Sequence, residues 1–344
     1  MRHRAIAYAL LSAALFGAST PLAKLLVGSI APLALAGLLY LGSGLGLSVW
    51  LAVRKSKATK LPARDLPWLA AAIVAGGIVG PALLMYGLAR TDAASASLLL
   101  NLEAVFTAAM AWIVFRENVD KRVFIGMLAI VAGGVVLSWE QMPKTSGAAG
   151  PLLVAGACFA WALDNNLTRR VSGGDAVVIA ALKGLVAGAA NLGLALALGA
   201  YLPAPGAIAM AGVVGLLGYG ISLVLFIMAL RDLGAARTGA YFSVAPFFGA
   251  MLALLLPGTH TGPAFWAAAG LMALGVWLHL TERHEHEHGH EATTHAHEHT
   301  HDPHHRHEHA PEWDGREPHS HTHRHAGLTH RHPHYPDLHH RHRH

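Results

Sequence analysis

The chain has 344 residues, of which 53% are hydrophobic and 13% charged, about half the charged share of roughly 25% in an average soluble domain. That balance excludes a water-soluble fold for most of the chain, and the formal net charge of +5 sits in short loops rather than in a nucleic-acid-binding patch. Residues 1–280 hold 18 of the 25 Lys and Arg but only 3 of the 26 His, so an apolar body gives way after Thr281 to a hydrophilic tail.

Arg2 and Arg4 open an apolar run that continues past Leu22 without a small-x-small cleavage site, which reads as an uncleaved first helix. A helix needs about 20 apolar residues to cross the hydrocarbon core, at roughly 1.5 Å each. Ten such spans are predicted near 5–27, 32–53, 67–89, 93–115, 121–139, 150–168, 175–200, 207–230, 236–257 and 262–281. Pro, Gly or charge separates them, as at Ile30-Ala-Pro32, Arg54-Lys55-Ser56-Lys57, Arg116-Glu117-Asn118, Gly173-Gly174 and Pro203-Ala-Pro205. Fourteen cations fall on the side of the N-terminus: Arg2, Arg4, Arg54, Lys55, Lys57, Lys60, Arg64, Arg116, Lys121, Arg122, Arg169, Arg170, Arg231 and Arg237. The other side has Arg90 and Lys144. The bias predicts a cytoplasmic N-terminus, and an even number of spans returns the tail to the same side. Cys158 is the only cysteine, so neither a disulfide framework nor a cysteine metal cage forms within one chain.

The two halves of the body resemble each other. Ala94-Ser-Ala-Ser-Leu-Leu-Leu-Asn-Leu-Glu-Ala-Val-Phe106 lies over Ala236-Arg-Thr-Gly-Ala-Tyr-Phe-Ser-Val-Ala-Pro-Phe-Phe248 at a constant offset, which also pairs Gly133 with Gly275 and Leu88 with Leu230. One residue further on, Leu15-Phe16-Gly17-Ala18 lies over Cys158-Phe159-Ala160-Trp161. Five spans per half is an odd number, so the second copy enters the membrane inverted, and a solute site is expected near the midplane between the halves. The predicted fold is therefore an all-α membrane protein of ten transmembrane helices in two inverted five-helix repeats, 1–145 and 146–281, followed by a disordered His-rich tail, 282–344.

Leu102-Glu103-Ala104-Val105-Phe106, Trp112-Ile-Val-Phe-Arg-Glu117 and Gly126 with Ala132-Gly133-Gly134-Val135 resemble the repeat of the EamA-type drug/metabolite transporter superfamily, and the resemblance covers about residues 5–280. Ala104 stands where that family usually has proline, which Pro246 supplies in the second half; Arg116-Glu117 replaces the family's Gly-Glu, and Gly258-Thr259 lacks the acid. The resemblance implies export or exchange of small metabolites or drugs across a bacterial inner membrane.

Four ionisable residues lie inside predicted spans: Lys24, Glu103, Asp164 and Lys183. Each is costly there, by at least roughly 2.5 kcal/mol. Glu103 lies about 11 residues beyond Asp92, roughly 16 Å from the outer surface and near the midplane. It reads either as a group that exchanges protons or pairs with a cationic solute, or as a hydrogen-bonded protonated carboxyl. Asp164 opens the cluster Asp164-Asn165-Asn166 and is within reach of Lys183 on the next, antiparallel helix, as a structural ion pair or a solute site. Lys24 is expected to snorkel to the outer interface, and Pro21 to kink the first helix over the position that Asp164 occupies in the second half. Trp161, Tyr86, Tyr241 and Phe242 are candidates to line an apolar cavity or simply to pack, and Asn101 and Ser243 complete the candidate lining.

The body contains His3, His260 and His279 as its only histidines, so no nucleophile, base and acid converge, and no phosphate loop is present. An enzyme is not indicated, no cofactor is required, and transport would draw on a gradient. A membrane-anchored sensor or metal store is the competing reading, and within transport the solute is an organic molecule or a divalent metal. Partners expected are the lipid bilayer, a small solute and divalent ions; no nucleic acid is expected, and a homodimer remains open.

The tail runs through His284, His286, His288 and His290, then His295, His297, His299 and His301, and ends with His330, His332, His334, His339, His340, His342 and His344, interleaved with Glu and Asp. It has too few apolar residues for a core. Neutral imidazoles on such a chain are expected to bind nickel, cobalt, zinc or copper.

Overall fold

In hydrocarbon a backbone must satisfy its own hydrogen bonds, and a chain this apolar does so as helices. The computed structural model describes residues 2–54, 62–115, 121–141, 149–171, 174–233, 235–256, 261–281, 285–290, 294–299, 319–324 and 328–333. Among them, the helices of the body form the ten expected spans. Spans 1 and 2 are α1 (Arg2–Leu26) and α2 (Pro32–Val53). Span 3 joins α3 (Leu66–Ala72), a π-helical segment Ile73–Val79 and α4 (Gly80–Leu88). Span 4 is α5 (Ala93–Leu99) with α6 (Leu102–Phe115), and span 5 is α7 (Lys121–Gln141). The second half repeats the scheme: α8 (Ala149–Val171), α9 (Ala176–Ala197), then α10 (Pro205–Gly215) with a π-helical segment Leu216–Ile221 and α11 (Ser222–Leu233). Span 9 is α12 (Ala235–Phe242) with α13 (Ala245–Leu254), and span 10 is α14 (Pro263–Leu280).

Six of these spans are long and apolar enough on their own to cross a bilayer. Large apolar side chains such as Val53, Trp139, Leu198 and Trp277 stand on the outside, a surface that water would not tolerate over this extent but lipid does. The protein is a multi-pass membrane protein.

The spans pack in pairs that respect the repeat. Span 2 crosses span 7, and span 5 packs on span 10. Span 1 lies against spans 8 and 9 of the second half, while span 6 lies against spans 3 and 4 of the first. Glycines set the closest approaches. A Cβ on Gly184 would stand 2.5 Å from the Gly44 nitrogen, and one on Gly188 2.5 Å from the Leu41 nitrogen. Gly133 and Gly275, paired in the repeat, face Met272 and Ile130 across the crossing of spans 5 and 10. Backbone cannot give way as a side-chain tip can, so Gly184→Ala is expected to destabilise the body by about 1–3 kcal/mol. Gly212, whose Cβ direction is open, is the matched control. Melting of the purified protein followed by size-exclusion chromatography should separate the two, and equal melting would refute the crossing as a tight contact.

Arg54 closes the same crossing at one end, with Nη2 donating to Asp175 Oδ2 at 2.6 Å. Asp175 also caps α9 by accepting from the Val177 N–H at 3.0 Å. Burial alone would raise the Asp175 carboxyl, but the Arg54 hydrogen bond and charge and the α9 N–H groups outweigh it and hold it below the usual carboxylate range.

The expected kink at Pro21 does not interrupt α1, which is continuous from Arg2 to Leu26. Lys24 departs from simple snorkelling. Its Nζ donates to the carbonyls of Leu88 and Thr91, where α4 ends and carbonyls lack helical partners.

The tail, Arg283–His344, forms a unit of its own. Its described residues are four short strands, β1 (Glu285–His290), β2 (Thr294–His299), β3 (His319–Arg324) and β4 (Leu328–Pro333), paired β1 with β4 and β2 with β3, both antiparallel. Its composition supplies no apolar core. His284, His301, His334, His339, His340, His342 and His344 fall outside the described residues.

Candidate solute site

Two irregularities of the backbone build the site. Pro81 has no N–H to offer the carbonyl of Gly77 one turn back, and its ring crowds that position. The chain widens into the π-helical turn, in which the Gly80 N–H reaches back to Ala75. The Gly76 carbonyl is thereby left without a helical donor, since its partner in the widened register would be Pro81. Tyr40 Oη donates to it at 2.8 Å and Trp161 Nε1 at 2.9 Å. Asn191 Nδ2 donates to the Gly77 carbonyl at 3.1 Å. The π-helical segment of span 8 lies at the equivalent place in the second half, where the Ser222 N–H reaches back to Leu217. Spans 4 and 9 are both broken, at Leu100–Asn101 and Ser243–Val244. Span 4 breaks without the proline that Pro246 brings to span 9: the Glu103 and Ala104 N–H groups turn back to Leu100 and Asn101 at 3.0 and 3.2 Å.

These features surround a cavity with about 500 Å³ of empty space, part of it open to the outside. Its charged members are Glu103, Asp164 and Lys183, with Asn165 beside them. Glu103 lies in the first turn of α6, where the helix dipole favours an anion, and its Oε1 accepts from Asn165 Nδ2 at 2.7 Å. Lys183 Nζ donates to both oxygens of Asp164 at 2.6 and 2.7 Å and contacts Thr168 Oγ1 at 3.1 Å. Lys183 and Asp164 are nearly inaccessible, with side chains 2% and 10% exposed. Asp164 and Lys183 are thus ion-paired and at the same time line the cavity.

Aromatic rings form the remaining wall. Phe16 meets Trp161 edge-on at 5.5 Å and Tyr219 at 5.8 Å, Tyr40 stands 5.2 Å from Tyr219, and Phe226 stands 4.9 Å from Phe242. Ser222 adds a hydroxyl and ties span 8 to span 1 through reciprocal bonds with Ser12, 2.7 and 2.9 Å long.

Of the residues singled out from sequence, Glu103, Asp164, Asn165, Lys183, Trp161 and Phe242 meet in this cavity. The others lie outside its lining. Tyr86 is exposed with Arg90 over its ring at 6.0 Å. Tyr241 packs against Ala5, Ala9, Ala229 and Leu233. Asn101 and Ser243 are buried at the two helix breaks, and the Asn101 amide donates to the Leu98 carbonyl at 2.9 Å and faces Met272 Sδ at 3.8 Å. Phe16, Tyr40, Tyr219, Ser222, Leu223 and Phe226 were not anticipated. The repeat offset held a signal for one of them, because the shift that lays Pro21 over Asp164 also lays Tyr40 over Lys183.

Comparison with known proteins decides the family. The model of the EamA-like transporter family matches twice, over residues 3–139 and 148–281. The chain belongs to the EamA-like transporter family. Its two matched segments coincide with the two five-span halves. An uncharacterized transporter of Methanothermobacter thermautotrophicus is 29% identical over 259 residues, covering 70% of this chain and 76% of that protein. The uncharacterized transporter YyaM of Bacillus subtilis is 27% identical over 266 residues, covering 72% and 84%. A protein of known crystal structure superposes with a TM-score of 0.60 at 18% identity, over 80% of this chain and 94% of that one, and so shares the fold. The chain is a membrane transporter of this type.

Proposed function

We propose that this transporter is a secondary carrier that exports or exchanges a small metabolite or drug carrying a cationic amine on an apolar or aromatic body. One observation carries the reading: the Asp164 charge is already neutralised by Lys183, whereas Glu103 has an amide as its partner and faces a wall of aromatic rings. An ionised Glu103 leaves the cavity with one net negative charge, and aromatic faces add cation–π attraction of about 0.5–2 kcal/mol. The two-fold arrangement of π-helical turns and helix breaks around the cavity supports a carrier over a membrane-anchored sensor, which needs no such symmetry. A metal ion as the solute finds less support, because half of the carboxylate donors are engaged by Lys183. The loop-charge bias supports an inner-membrane orientation with both termini cytoplasmic, and the imidazoles of the tail support transition-metal binding there, as a regulator of the carrier.

Purified protein in liposomes, challenged with aromatic amines, amino-acid-like solutes and nickel, cobalt or zinc, tests the reading. Flux of the amines driven by a proton gradient is expected. Metal flux with no organic flux would overturn it.

A further inference from the structure

We infer that Asp164 sets the selectivity of the carrier: by engaging Lys183 it withholds the ammonium that a solute carboxylate would need, so aromatic amines are accepted and the amino acids built on the same rings are excluded. The inference rests on the amine-carrier reading given above and narrows its solute to amines without an anionic group. Lys183 is the one cation among the described residues that line the cavity. An ammonium has three N–H donors, and all three are taken: Asp164 Oδ1 and Oδ2 accept at 2.6 and 2.7 Å and Thr168 Oγ1 at 3.1 Å. A Cβ on Gly76 would stand 1.9 Å from Asp164 Oδ2, so the carboxylate rests directly on the π-helical turn of span 3 and has no room to swing away from Lys183 on that side.

The other donors of the wall are turned to the protein as well. Tyr40 and Trp161 both donate to the Gly76 carbonyl, Ser222 Oγ donates to the Ser12 carbonyl at 2.9 Å, and the Tyr219 hydroxyl is enclosed by protein. Asn165 gives one amide hydrogen to Glu103 at 2.7 Å and keeps the second, a neutral donor. An amine therefore finds Glu103 and the aromatic faces, whereas the carboxylate of an amino acid, joined to the same carbon as the ammonium, is carried in beside Glu103 with no cation to receive it. Like charges brought together out of water repel, and a buried ion without partners forfeits its hydration. The amino acid should bind at least about 100-fold more weakly than the matching amine.

Uptake of labelled tyramine by liposomes carrying the full chain, in competition with unlabelled tyramine, tyrosine and tyrosine methyl ester, is the test. Tyramine and the ester should compete, and tyrosine should require at least about 100-fold more. The ester keeps the added bulk without the charge, so exclusion of both would assign the discrimination to size and overturn the inference, as would competition by tyrosine at the level of tyramine. Asp164→Asn and Asp164→Ser leave Lys183 charged and without its counter-ion. In either, the affinity for tyrosine relative to tyramine should rise at least about 10-fold, a change of ratio that a loss of stability alone does not produce. Asp164→Asn combined with Lys183→Met removes the ammonium too and should exclude tyrosine as the unaltered carrier does. An unchanged ratio in the single variants, or acceptance of tyrosine by the double variant, would overturn the role of Asp164. Failure of tyramine to enter or be displaced at all would instead overturn the amine-carrier reading itself.

Discussion

Glu103→Gln is expected to remove cation transport while leaving the protein folded. The amide keeps the acceptor that Asn165 uses at 2.7 Å and nearly the same volume, but it carries no charge and does not titrate. Loss of one partner of a desolvated charge pair costs about 2 kcal/mol or more, which corresponds to at least ~30-fold in apparent affinity. The pH profile provides the second readout. A proton and a cationic solute compete for the same carboxylate, so acidifying the cavity side should raise the apparent KM of the unaltered carrier, and in the Gln variant that slope should be absent. Initial rates in liposomes at several external pH values check both. Normal rates with an unchanged pH profile would show that Glu103 is merely a packed carboxyl.

Lys183 carries the second large effect, on stability. Its ammonium engages both oxygens of Asp164 and the Thr168 hydroxyl at a nearly inaccessible place. Lys183→Met leaves the carboxylate without its counter-charge, a change worth about 3–5 kcal/mol when a buried pair is broken from one side. Roughly a 10 °C fall in Tm follows for a chain of this size. Adding Asp164→Asn removes the stranded charge, and the double variant should recover most of the loss, because neutral replacements of both members of a buried pair are often close to neutral in effect. A thermal-shift series on the two single variants and the double variant gives the coupling directly. If Lys183→Met melts with the unaltered protein, or the double variant is no better than the single, the pair contributes nothing to the fold.

The helical body was legible because hydrocarbon permits the backbone few solutions: length, loop charge and the five-span repeat leave little freedom. Asp164 and Lys183 could be paired from depth and reach alone, and Glu103 stood out by its cost. The cavity wall was not legible. Tyr40 and Tyr219 are aromatic residues in apolar helices, and nothing in their spacing says that they face inward. Pro81 removes a donor at the first π-helical turn, but Leu216–Ile221 contains no proline, and no residue type in it marks the distortion. Likewise, Pro246 marks the break in span 9 while Ala104 gives no sign of the one in span 4. In the tail, His-x-His spacing announces imidazoles but not their strand register, which depends on which distant segment pairs with which.

The packing of span 1 on spans 8 and 9, and of span 6 on spans 3 and 4, means that neither repeat keeps its own first helix. Each half lends that helix to the other, so the mechanical bodies of the carrier are composites and differ from the halves that the matching segments 3–139 and 148–281 delineate. A single half synthesised alone would expose the seat meant for the missing helix. During biogenesis the first five spans must therefore wait in the bilayer, incomplete, until the sixth arrives.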